Sequence, residues 1–72
     1  MKPEHRIILT EICDYLRRNY RITKGKTGSL RNAEADLRRR IWHYSIEGWT
    51  DGFIRVEAFC LAQEYVNASR LA

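Results

Sequence analysis

Cysteine is scarce in this sequence and badly placed for staples. Cys13 and Cys60 lie 47 positions apart, with no Cys-x-x-Cys pair, so neither a disulfide framework nor a paired metal half-site can be read. Both thiols stand in apolar stretches and are expected to be buried. No apolar run approaches the roughly 20 residues needed to span a bilayer. The Ile7-Ile8-Leu9 run is ended by Thr10 and Glu11, too early for a signal-peptide core, which favours a cytoplasmic location. Internal repeats and low-complexity tracts are missing too, and with 44% hydrophobic and 31% charged residues the chain is not of a disordered type.

Seventy-two residues make one domain, expected to cover 1–72. A chain so short buries only about 60% of its unfolded surface, so without disulfides or a metal it must rely on good helix packing or self-association. Homodimerisation is therefore expected.

What the sequence does contain is helical period. Leu9, Ile12, Cys13, Leu16 and Tyr20 recur at helical spacing behind Pro3 and Glu4, which suit a first helical turn. Leu30, Ala33, Leu37, Ile41 and Tyr44 form a second stripe, with Ser29 as the expected N-cap and Gly48 as the stop. Ile54, Ala58, Phe59, Leu61, Ala62, Tyr65 and Val66 cover about half the circumference of a third helix, wide enough to touch both others. Thr50 is its expected N-cap, with Trp49 and Ile54 as a hydrophobic staple. The reading is all-α: a compact three-helix domain with helices over 3–21, 29–47 and 50–70. The alternative is an α+β fold in which Asp51-Gly52 turns a short hairpin over residues 49–54.

Local charge spacing predicts pairs of Asp14 with Arg17 and Arg18, Glu34 with Arg38, and Asp36 with Arg40. Ile22 to Ser29, with two glycines and two lysines, reads as an exposed connection.

Catalytic and metal motifs fail on inspection. Gly25-Lys26-Thr27 imitates a phosphate loop, but the glycine required five positions earlier is Tyr20. Residues 47–58 echo a calcium loop, yet Ala58 occupies the place of the bidentate glutamate. His5, Cys13, His43 and Cys60 have zinc-ligand chemistry without zinc-site spacing, and His43, off its helix's stripe, is expected in solvent. Neither cysteine shows the cationic or helix-terminal setting that lowers a thiol pKa. The chain is read as no enzyme, with no metal, cofactor or small-molecule substrate.

The net charge of +4 is concentrated. Residues 15–40 hold nine cations against Glu34 and Asp36, a net of +7, while both flanking segments are slightly acidic. Ten of the thirteen cations are arginine, which grips phosphate bidentately and stacks on bases. A patch of Arg17, Arg18, Arg21, Lys24, Lys26, Arg31 and Arg39 would bind nucleic acid, DNA or RNA, in a small non-enzymatic regulatory protein. Against this, Arg17, Arg18, Arg38 and Arg40 each have a local carboxylate, and no base-reading residue stands out.

A second signal is apolar. Ala35, Trp42 and Ile46 lie about 140–180° from the core stripe of their helix, and Trp49 extends that edge. Such an edge implies a homodimer seam, or an adaptor or inhibitor that docks on an acidic protein surface, with the arginines steering the encounter. Small size, basic balance and the lack of catalytic motifs suit an accessory protein of a phage or mobile element.

Overall fold

The computed structural model describes residues 2–22 and 27–71, less the side chains of residues 27 and 28. It has three helices, α1 (Pro3–Asn19), α2 (Thr27–Glu47) and α3 (Asp51–Arg70), and the described residues contain no strand. The three-helix, all-α reading is the one observed.

Each helix contributes one column to a shared core. Ile8, Ile12 and Leu16 come from α1, Ala33, Leu37 and Ile41 from α2, and Ile54, Ala58, Ala62 and Val66 from α3. The α3 column advances by strict steps of four, and its two alanines let the neighbouring helices approach closely. Leu9, Tyr15, Tyr20, Leu30, Tyr44, Leu61 and Tyr65 pack around its margin. Arg17 meeting Glu34 and Asp36 meeting Tyr65 run α2 antiparallel to both partners, whereas Glu11 meeting Arg55 runs α3 parallel to α1. The result is a rod of 38 × 17 × 16 Å, so every helix presents a long outer face.

The turn between α2 and α3 is closely determined. Gly48 adopts φ +82°, a left-handed conformation that favours glycine. Its N–H donates to the Ser45 carbonyl (3.3 Å) and the Trp49 N–H to the Tyr44 carbonyl (3.1 Å), which is the double bond of a Schellman cap. The hydrophobic contact that accompanies such caps is Trp49 on Tyr44, ring centroids 4.7 Å apart. Thr50 then caps α3, its hydroxyl accepting from the Phe53 N–H at 3.3 Å. Three consecutive residues, Gly48, Trp49 and Thr50, thus close one helix and open the next, and the hairpin weighed for this segment does not form.

Several expectations are corrected. α1 ends at Asn19, not residue 21, because Tyr20 turns to extended backbone and the Arg21 N–H donates to Ser69 Oγ of α3 (3.0 Å). α2 begins at Thr27, so Ser29 lies inside the helix and does not cap it. Trp49 makes its second ring contact with Phe53 (4.3 Å), the residue before the expected staple partner Ile54, which faces the core. The wide apolar arc of α3 is only partly covered. Phe59 and Cys60 are exposed, because a third helix has just two neighbours to bury it. Cys60 is therefore no buried thiol, while Cys13 is buried.

Candidate functional site

The fold sorts the arginines by what their neighbours offer. Arg17 reaches across from α1 to Glu34 of α2 with two hydrogen bonds, Nε to Oε1 at 2.5 Å and Nη2 to Oε2 at 3.2 Å. That contact holds the Glu34 carboxyl below its ordinary pKa. Burial acts the other way, and the nearby charges of Arg38 and Arg31 add to the lowering. Arg18 pairs with Asp14 at 2.8 Å, one turn back on α1. Asp36 lies in the opposite seam, where it accepts the Tyr65 hydroxyl and has Arg40 Nε at 3.9 Å. Burial pushes the Tyr65 phenol up to about 12, and the bond to Asp36 acts in the same direction.

These assignments change the inventory expected from local spacing. Glu34 was expected to pair with Arg38 on its own helix, but Arg17 takes it. Arg38 is left with no ion pair among the described residues, as are Arg31 and Arg39. At about 100° per residue, Arg31, Arg38 and Arg39 fall with Ala35, Trp42 and Ile46 in one sector of α2 about 100° wide, facing away from the core. All six are exposed, Trp42 to 48% and Ile46 to 63%. Both carboxylates of the helix body, Glu34 and Asp36, border this sector without entering it. A mostly apolar depression of about 440 Å³ lies among Ala35, Arg38, Arg39 and Trp42.

Of the other residues expected at a phosphate site, Arg21 is exposed where the chain leaves α1, at the end of the bundle from which α2 starts. Arg17 and Arg18 are engaged in ion pairs, as described. Lys24 and Lys26 lie outside the described residues. On the apolar edge, Ala35, Trp42 and Ile46 share the outward sector, but Trp49 does not. It is half-buried in the turn between Tyr44 and Phe53, and its indole N–H donates to Glu47 at 2.8 Å. Of the seven expected cations, the structure thus places Arg31 and Arg39 on the face of α2 that carries Ala35, Trp42 and Ile46, and the patch expected to run from residue 17 to residue 40 is not gathered there.

Two further constellations have chemical potential. His5 is wholly buried, with Nδ1 2.7 Å from Ser45 Oγ and Nε2 2.8 Å from Asp51 Oδ1. With the ring neutral, Nδ1 accepts the serine hydroxyl while Nε2–H donates to the carboxylate; with the ring protonated, both nitrogens donate and the hydroxyl rotates to accept. Both states leave the ring satisfied. Serine, histidine and aspartate in this order resemble an acyl-transfer relay, but the imidazole has no exposed surface on which a substrate could meet it. In this fold the trio ties the start of α1 to the end of α2 and the start of α3. Sequence reading missed it, although His5 continues the stripe of Ile8, Ile12 and Leu16 by one turn and so belonged on the buried face.

The second constellation is an apolar groove of about 430 Å³ between α1 and α3, lined by Ile12, Tyr15, Val56, Phe59 and Cys60 and edged by the Glu11–Arg55 pair. The Tyr15 and Phe59 rings meet at a tilt of 48° along it, centroids 4.8 Å apart. Burial pushes the Cys13 thiol above its ordinary pKa, and no group of three or more metal-ligating side chains comes together among the described residues. No helix among them is long and apolar enough to cross a membrane. Comparison with protein families, with curated proteins and with solved structures gives no significant match.

Proposed function

We propose that this chain is a small, non-enzymatic, cytoplasmic regulatory protein that binds nucleic acid through the outward face of α2. One observation carries the reading. Arg31, Arg38 and Arg39 share a sector with no carboxylate, while both acidic residues of the helix body are engaged in the seams beside it. A guanidinium that has no protein partner and stands in solvent is available to a phosphate, and three on one rigid helix form a fixed comb for a polyanion. Arg17 and Arg18 contribute less, because a phosphate must compete with Glu34 and Asp14 for them.

The test is binding of a labelled oligonucleotide across a salt series, with Arg31→Glu, Arg38→Glu and Arg39→Glu combined. Binding is expected to weaken as salt rises and to vanish in the triple variant. Affinity that ignores both salt and charge reversal refutes the proposal.

A second reading has its own support in Ile46 and Trp42, which are large, apolar and exposed on the same face. There the sector would dock an acidic protein surface or a second copy of the chain, as Trp and Arg often do at interfaces. Trp42→Ala would then abolish association with the arginines intact, and sedimentation would show whether that association is a homodimer.

A further inference from the structure

Resting on the nucleic-acid reading above, we infer that the strand recognised is single-stranded, with the Trp42 indole as the platform on which an unpaired base stacks. Arg31 and Trp42 are eleven residues apart, about 16 Å along a helix at 1.5 Å per residue, and Arg38 and Arg39 fall between them. Cations spread over one face and an aromatic ring at its end are the two parts of a single-strand site: the cations follow phosphates while the ring takes bases.

Three features favour a single strand over a duplex. Trp42 is half-exposed on a rigid helix, and an indole so held can stack only on a base that has left its own stack. A duplex offers this face phosphates and base edges, against which the apolar end of the sector, Trp42 and Ile46, has no partner. Ala35 leaves an opening two turns before Trp42, and the depression there, about 440 Å³ among the Arg38 and Arg39 side chains and the indole, has a mostly apolar lining that two cationic side chains border. A flat, anionic-backed nucleobase matches that combination. His43, exposed and edge-on to Trp42 at 5.5 Å between centroids, stands at the border of the platform.

The experiment uses Trp49→Phe protein, which keeps an aromatic ring in the α2–α3 turn and leaves Trp42 as the only tryptophan. It is titrated with oligothymidylate and, separately, with a blunt duplex of equal phosphate number, and indole fluorescence is followed. The expected result is quenching by the single strand, with tighter binding than to the duplex. With three phosphates neutralised on a single strand, the log–log salt slope should be about −2, so a fourfold rise in salt weakens binding by about sixteenfold. Trp42→Ala, measured with a labelled strand, should weaken single-strand binding by roughly five- to a hundredfold, and Trp42→Phe should recover much of it. Circular dichroism confirms that both variants stay helical. If the duplex binds as well as the single strand and Trp42→Ala alters neither, the stacking inference fails while the arginine face stands. If neither nucleic acid binds at low salt, both readings fail together.

Discussion

Along its seams α2 has its carboxylates engaged: Glu34 by Arg17, and Asp36 by Tyr65 with Arg40 close by. Along its outward sector Arg31, Arg38 and Arg39 have no carboxylate partner among the described residues, and Trp42 and Ile46 remain about half and nearly two-thirds exposed. One helix thus carries a side whose interactions are completed by the fold and a side whose interactions the fold leaves open. The difference teaches that the cationic face arises from pairing as much as from composition. By drawing Glu34 toward α1, Arg17 takes away the carboxylate that helical spacing had offered to Arg38.

The largest expected effect tests whether the two sides differ energetically as well as geometrically. Leu37 is fully buried, and Leu37→Ala should cost about 2–5 kcal/mol of unfolding free energy, enough to threaten so small a domain. Arg31→Ala, Arg38→Ala and Arg39→Ala should each change stability by no more than about 0.5 kcal/mol, because none has a carboxylate partner to lose among the described residues. Urea denaturation measures both. If the arginine variants unfolded as easily as Leu37→Ala, the outward face would be part of the scaffold and unavailable to a ligand.

Next in size is the histidine tie. His5→Ala removes a wholly buried ring and both of its hydrogen bonds, and should destabilise by about 2–3 kcal/mol. The loss should leave oligonucleotide binding by the folded fraction unchanged, since the trio lies on the seam side of α2. Thermal unfolding followed by circular dichroism, with binding measured below the transition, separates the two outcomes. A binding defect at unchanged stability would break the division drawn here and give the trio a role beyond fastening the helices.

How far all this could be read in advance depends on the range of the interaction. Ala33, Leu37 and Ile41 were legible because burial on a helix follows a local period, and Thr50 and Gly48 because capping is a matter of a few neighbouring atoms. Cys60 and Phe59 were misplaced because their fate depends on how many neighbours α3 acquires, which no local pattern records. Arg38 was passed over at the phosphate site for the same reason: a partner on the same helix is visible in the sequence, and a competitor on another helix is not. The outward Trp42 edge and the basic middle third were both legible; that Arg31 and Arg39 share the Trp42 face follows from the same helical spacing, whereas the pairing between helices that leaves Arg38 open does not.

The smallest effect is the most specific to the Arg17–Glu34 contact that leaves Arg38 without its expected partner. The folded-state pKa of Glu34 is lowered, so the contribution of this contact is fully present above the ordinary carboxylate pKa and is lost as pH falls through the depressed value. Stability should therefore decline on the acid side, below about pH 4.5, and Arg17→Ala should make that decline shallower. Tyr65 supplies the opposite limb. Its folded pKa is raised from 10.0 to about 12, so its share is intact below pH 10 and disappears as pH climbs through that interval. Tyr65→Phe should flatten the alkaline limb and leave the acid one alone. Arg17→Ala has a second consequence that a surface ion pair of no importance would lack: it returns Glu34 to Arg38, one turn along the helix. Oligonucleotide affinity should fall modestly in that variant and recover in Arg17→Ala combined with Glu34→Gln, because the glutamine has no charge with which to claim Arg38. An affinity that does not respond to this pair of changes would mean that the Arg38 guanidinium does not take part in binding, and the face would shrink to Arg31, Arg39 and the indole.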